Sequence, residues 1–289
     1  MKNPVPKVAA IHDLSGYGRG SLTTVIEVLA TMGIQPCPLP TAVLSTHTGG
    51  FNNYKFIDLT DELQDYINHW ESLNIGFDAI YSGFLGSIHQ IEIVIDFIKR
   101  FKREDQYVII DPVLGDNGQT YDTFGPKMIS KMKTLVKKAD LITPNITEAK
   151  FLLDKEDVGI SNDDEAKEWL KELSSFGPDM VVITSVEGYT NKEKTSVLAY
   201  QKKEERFWKV DCDYIPANFP GTGDLFTSIL VGSILSGDSL PMAIDRAVQF
   251  ISMAVRTTYG YDFPEREGVL IERVLANLNL PITGKSYEI

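Results

Sequence analysis

The chain has 289 residues, 43% hydrophobic and 24% charged, a balance that excludes a disordered polypeptide and suits a soluble globular protein. Its 28 basic residues against 40 acidic ones leave a formal net charge of −12, which argues against general binding to nucleic acid or to an anionic membrane, since both need a basic footprint. A small anionic ligand needs only a local positive site and stays open.

From the amino end, short apolar runs alternate with amphipathic stretches. Lys7 to Ile11 reads as a strand, followed by a glycine-rich turn and a helix from Ser21 to Met32. Asp61 to Leu73 reads as a helix, Asp78 to Tyr81 as a buried strand, and Ser87 as the cap of a helix reaching Phe101. Tyr107 to Ile110 is the next strand, Pro126 to Lys138 the next helix, and Leu141-Ile142 a short strand before a helix from Asn145 to Leu153. Asp163 to Leu173 has one polar helical face, and Val181 to Thr184 reads as a strand. This alternation predicts an α/β fold whose mostly parallel sheet carries helices on both faces. Ser196 to Tyr200 and Arg206 to Val210 flank a polar turn and predict an antiparallel hairpin at one edge. The chain then becomes helical on either side of Leu240-Pro241. No linker or repeat divides residues 1–289, so a single domain is expected. Cys37 and Cys212 are too few for a disulfide framework, no apolar run approaches the roughly 18 residues of a membrane span, and Met1 to Pro4 lacks a signal stretch. A cytoplasmic location is the expectation.

The strongest chemical signal is Gly221-Thr222-Gly223-Asp224, directly before a helical stretch from Thr227 to Leu235. Glycines let the backbone turn tightly with its N–H groups unobstructed, and the following helix adds free donors and its positive dipole end. Such a turn suits a phosphoryl group in transfer. Asp224 would repel a bound phosphate, unless it serves to accept a proton from an alcohol. The same residues also fit a capped helix after a turn.

Three more segments join this one in order: Ser45-Thr46-His47-Thr48-Gly49, Asp111-Pro112-Val113-Leu114-Gly115-Asp116, and Thr143-Pro144-Asn145-Ile146-Thr147-Glu148-Ala149. Together they resemble the motifs of pyridoxal (vitamin B6) kinases in the ribokinase-like superfamily, over about Val8 to Thr258. The resemblance implies a ribokinase-like three-layer α/β/α sandwich. It also implies ATP-dependent phosphorylation of the 5′-hydroxymethyl group of pyridoxal, pyridoxamine or pyridoxine. Asp224 would be the catalytic base, and the amides of Gly221, Thr222 and Gly223 the anion hole. Asp111, Thr184 and Ser185 would meet ATP, with the base near the hairpin and the stretch from Val210 to Phe219. Asn145 and Glu148, oxygen-bearing and three residues apart, would organise Mg²⁺, partly through water. Capping serves Asn145 equally well, and Asp111 suits a strand-end turn. Monovalent-cation dependence stays open, and a homodimer is the expected assembly.

On the substrate side the resemblance places His12, Asp13, His47, Thr48 and Phe84 around the vitamin, with Asp224 at its hydroxyl. Phe84 falls where many B6 kinases carry tyrosine, and a phenyl ring can still stack on a pyridine. His47 can bond a ring substituent or satisfy itself on backbone. Asp13-Leu14-Ser15-Gly16 is closer to the opening of hydroxymethylpyrimidine kinases, which makes that activity, or dual specificity, the alternative. A non-catalytic vitamin-binding protein is the rival from another class.

Other motifs carry less. Gly16, Gly18 and Gly20 run G-x-G-x-G rather than in the dinucleotide pattern, and no acidic residue between Glu27 and Asp58 could hold a ribose. Gly284-Lys285-Ser286 mimics the end of a P-loop, but Asn279 occupies the first glycine position. Four scattered histidines, with His69 and His89 expected on helix surfaces, show no zinc spacing.

Overall fold

The computed structural model describes residues 4–121, 124–155, 158–189, 191 and 193–289. Met1 to Asn3, read above for the absence of a signal stretch, lie outside them. Among the described residues no helix is long and apolar enough to cross a membrane.

Strand β1 (Lys7–Ser15), helix α1 (Ser21–Thr31) and strand β2 (Gln35–Leu44) form the first β-α-β unit, with β1 and β2 parallel. A short β3 (Phe56–Asp58) turns back antiparallel on β2. Next come α2 (Thr60–Ser72), β4 (Ala79–Ser82), α3 (Ile88–Phe101) and β5 (Tyr107–Ile110). A two-strand ribbon of β6 (Gly115–Asp116) and β7 (Gln119–Thr120) precedes α4 (Pro126–Val136), β8 (Leu141–Ile142), α5 (Ile146–Leu153) and α6 (Asp163–Ser175). Strands β9 (Met180–Glu187), β10 (Lys194–Gln201) and β11 (Arg206–Asp213) then lead into α7 (Thr222–Leu235) and α8 (Leu240–Tyr259). The sheet runs β12-β11-β10-β9-β8-β5-β4-β1-β2-β3, where β12 is Tyr287–Glu288.

The sheet is parallel from β9 to β2 and antiparallel from β9 through β10 and β11 to β12, which bears out the expected hairpin. Alternation along β1 divides the core in two. Ala9 and Ile11 pack with Phe97, Leu135 and Leu170 under one helical layer. Val8 and Ala10 pack with Val25, Ile229 and Ala247 of α1, α7 and α8 under the other. The three-layer arrangement follows from burying both faces of a parallel sheet.

Strands β2, β3 and β12 and the β6–β7 ribbon escaped the sequence reading. Strand β2 contains Pro36, Pro38 and Pro40, residues rarely found inside a central strand. The Gln35 amide donates to Pro6 on the β1 side, so the prolines, of opposite parity, turn their missing N–H groups to the other side. There β3 pairs only with Ala42 to Leu44, so no ladder bond is lost. The β6–β7 ribbon is too short to leave a periodic pattern.

Candidate active site

The carboxyl ends of the parallel strands lie along one edge, and the chemistry-bearing residues gather there: His12 and Asp13 on β1, Phe84 after β4, Asp111 after β5, Asn145 after β8 and Thr184 on β9. Two cavities open at this edge. The larger, about 260 Å³, is lined among others by Asp111, Asn145, Glu148, Thr184, Ser185 and the run Gly221 to Asp224. The smaller, about 120 Å³, is lined by Asp13, Ser21, His47, Thr48, Phe84 and Asp224, among others. Val113, Tyr121, Pro220, Gly221 and Asp224 line both, so the two chambers meet at the glycine turn.

Helix α7 begins at Thr222, five residues earlier than the hydrophobic pattern suggested. Its N-cap is Gly221, at φ +85, with no side-chain cap. The amides of the first turn therefore stay open toward the cavity. A Cβ on Gly221 would lie 2.0 Å from the Arg19 carbonyl oxygen, so the turn of residues 17–20 and the α7 turn approach more closely than any other residue type allows. Gly223 differs: the nearest atom to a Cβ there is Asp111 Oδ2 at 3.9 Å.

Asp224 does not cap its own helix. Its Oδ2 accepts a 2.7 Å bond from the amide of Ser21, the first residue of α1. Burial, and then the Asp13 charge, push the Asp224 carboxyl up to about 7, against the pull of the Ser21 amide. Asp13 is itself raised by burial, while Ser21 Oγ at 2.5 Å and Ser15 Oγ at 2.9 Å hold its carboxylate. Ser21 thus touches both carboxylates. Gly20-Ser21 signalled only a helix start in the sequence.

In the larger chamber Asn145 and Glu148 form a capping box. Glu148 N donates to Asn145 Oδ1 at 2.9 Å, and Asn145 N donates to Glu148 Oε2 at 2.8 Å. Glu148 Oε1 accepts from Leu114 N at 3.0 Å, and Asn145 Nδ2 donates to the Gly115 carbonyl at 2.9 Å. Capping, one of the two readings above, is therefore realised. The Gly115 amide holds the same carboxylate, and a carboxylate with three backbone donors keeps acceptor capacity for one metal-bound water. Burial first, and the Asp111 charge second, push Glu148 well up. Burial and then Asp224 push Asp111 up in turn. The larger chamber is thus walled by Asp111, Asp116, Glu148 and Asp224, with no Lys, Arg or His among its described lining residues. Among the described residues no three carboxylate, histidine or cysteine groups converge closely enough to hold a metal ion directly, so a hard cation such as Mg²⁺ would have to be held here largely through its own water shell.

Thr184 and Ser185 reach this chamber because a bridge pairs Asn145 with Thr184 beyond the end of β8. Of the stretch expected near the base, Cys212, Asn218 and Phe219 line the cavity, as do Thr195 and Val197 of β10. The opposite wall, Val248, Ile251 and Ser252 of α8, was missed by the sequence reading, because apolar residues at helical spacing look like core.

In the smaller chamber Gly49 N donates to His47 Nδ1 at 3.1 Å, which leaves Nε2 as the N–H donor, without a partner. Its ring rests on Gly18, where a Cβ would fall 2.3 Å away. Phe84 stacks on Phe124 at 5.7 Å. His12 departs from the expectation. It is fully buried and lines neither chamber, because its position in β1 turns it under α7 instead. His89 is exposed on α3 and His69 on α2.

Residues 21–268 match the family model of phosphomethylpyrimidine kinase. The chain is 30% identical to the pyridoxal kinase of Arabidopsis thaliana over 271 residues, 87% of this chain and 83% of the relative. A protein of Bacteroides thetaiotaomicron described as a phosphomethylpyrimidine kinase, in a crystal form with pyridoxal, is 53% identical with a TM-score of 0.95, covering 99% of this chain and 100% of that one. The pyridoxal kinase of Lactobacillus plantarum is 28% identical with a TM-score of 0.85, covering 96% and 97%. The chain belongs to the phosphomethylpyrimidine kinase family, as a phosphotransferase whose relatives include pyridoxal kinases.

Proposed function

We propose that residues 1–289 form one kinase domain that transfers the γ-phosphoryl group of ATP to the 5′-hydroxymethyl group of pyridoxal, pyridoxamine or pyridoxine. The observation that carries this reading is the common wall of the two chambers, where Asp224 and the open amides of α7 stand between a carboxylate-lined cavity and a smaller one. The named pyridoxal kinases among its relatives and the pyridoxal in the Bacteroides crystal support the substrate class. The family model's own name keeps the pyrimidine alcohol as the comparator.

In this reading the vitamin ring lies among Asp13, His47, Thr48 and Phe84, with its alcohol at Asp224. ATP extends from the α8 wall past Thr184, Ser185 and Asp111 to the glycine turn. Asp224 accepts the hydroxyl proton as the oxygen attacks phosphorus. The amides of Gly221, Thr222 and Gly223 stabilise the charge on the transferring group, without having to reorganise at that moment. Asn145 and Glu148 would hold Mg²⁺ through water; when bound, it supplies neutralisation of phosphate charge that no cationic side chain among the described lining residues offers. A homodimer is part of the same reading, and light scattering measures it directly.

The test is ADP release with each B6 vitamer and with the hydroxymethylpyrimidine alcohol, with and without Mg²⁺. The expected result is Mg²⁺-dependent turnover favouring a B6 vitamer in kcat/KM, with Asp224→Asn folding normally and losing at least ~10²-fold in turnover. Preference for the pyrimidine would replace the substrate, and near-normal turnover of Asp224→Asn would remove the base.

A further inference from the structure

Behind Asp224 lies a group of buried polar atoms with no hydrogen-bond partner of good geometry among the described residues: both ring nitrogens of His12 and the hydroxyls of Tyr81 and Ser228. All three side chains are fully buried, at 0% exposure. They come from three elements that meet on one face of the sheet. Ala10 of β1 stands opposite Tyr81 of β4 in register, and His12 is the next β1 residue on that face. The imidazole meets the Tyr81 ring edge-on, 4.4 Å between centroids. Ser228 follows Asp224 by one turn of α7 and so shares its side of the helix.

Asp224 itself is half held. Ser21 N fixes Oδ2 at 2.7 Å, while Oδ1 lies 3.9 Å from His12 Nδ1, too far for a direct bond. Burial pushes His12 down to about 3, so the imidazole is neutral, with one N–H donor and one bare nitrogen. The Tyr81 hydroxyl is pushed far up, first by burial and then by the Asp111 and Asp224 charges, while the neighbouring Ser228 and Thr227 hydroxyls act the other way. Buried groups in such numbers are ordinarily satisfied by ordered water, which needs two to four polar partners.

We propose that an ordered water held by His12, Tyr81 and Ser228 reaches Asp224 Oδ1, and that His12 is thereby a positioning residue for Asp224 rather than a contact of the vitamin. The inference rests on Asp224 as the proton acceptor. With Ser21 on one oxygen and the water on the other, the carboxylate cannot turn away from the wall between the chambers. A neutral imidazole suits this task, because it orients the base without trading a proton with it.

The test joins a high-resolution crystal structure to steady-state kinetics of His12→Phe and His12→Asn. Density for a water within hydrogen-bond distance of a His12 nitrogen and the Ser228 or Tyr81 hydroxyl is expected in the wild-type protein. His12→Phe keeps a ring against Tyr81 but loses both nitrogens. It should lower kcat about tenfold or more, with KM for pyridoxal and ATP within about twofold. His12→Asn, whose amide can place a polar atom near the Nδ1 position, should recover most of the loss. Absence of the water, an unchanged kcat in His12→Phe, or a raised pyridoxal KM at constant kcat would each overturn the inference. Where His12→Phe fails to fold, His12→Asn and the density decide. Asp224→Asn separates the two claims. Its inactivity beside an unimpaired His12→Phe sinks the positioning role alone, whereas its full activity sinks the proposed function.

Discussion

The Asp224 carboxyl is pulled in opposite directions by its neighbours. Burial and the nearby Asp13 raise it to about 7, and the Ser21 amide lowers it. A base with a pKa near neutrality combines availability with driving force for proton transfer. Since a base works only when unprotonated, kcat/KM for pyridoxal should rise with pH to a plateau, through an acidic limb near 7. A pH–rate profile checks this, and a limb near 4 would show the carboxyl to be unperturbed in the working enzyme. Asp224 stood out in the sequence because glycines frame it. Its partner Ser21, 203 residues away, could not be read from any local pattern.

At the scale of the element, the start of α7 is decided by backbone geometry rather than by hydrophobic periodicity. The apolar pattern placed the helix at Thr227, yet it begins at Thr222, and so the glycine turn is the helix terminus itself. The two glycines of the motif should therefore fail differently. Gly221→Ala meets the Arg19 carbonyl at 2.0 Å and a positive φ, and should cost about 1–3 kcal/mol of stability as well as activity. Gly223→Ala meets nothing closer than 3.9 Å, and should keep its melting temperature while losing turnover, because the added methyl enters the cavity. Thermal melts beside ADP assays distinguish the pair, and equal loss of stability in both would refute the contrast. Strand β2 makes the converse point, since its three prolines are harmless only because β3 leaves their side of the ladder open.

Across the whole molecule, the sheet order brings residues distant in sequence to one edge, and the last segment is tied in by a related device. The P-loop-like Gly284-Lys285-Ser286 turns its donors onto a carboxylate of its own chain. Its amides and hydroxyl hold the buried carboxylate of Asp245 on α8, through Lys285 N at 3.1 Å, Ser286 N at 2.9 Å and Ser286 Oγ at 2.8 Å. The segment continues into β12 on β11, so it joins α8 to the hairpin. Asp245→Ala should lower stability by about 1–3 kcal/mol in urea unfolding, because it removes three hydrogen bonds and leaves two part-buried amides without their acceptor. An unchanged midpoint would show the contact to be idle.

The alternation of apolar runs with amphipathic stretches determined the α/β class and the edge hairpin, because burial of a sheet between helices imposes those periods on any sequence that folds this way. Gly221 to Asp224, Asp111, Asn145 and Glu148 were legible for the same reason, since backbone turns and strand ends demand particular residue types locally. Only the tertiary structure decided that His12 lies behind Asp224 instead of lining the smaller chamber, that Ser21 holds the Asp224 carboxylate, and that α8 walls the larger chamber. Those facts depend on which strands and helices become neighbours, and through-space contact between distant segments leaves no periodic trace in a single chain.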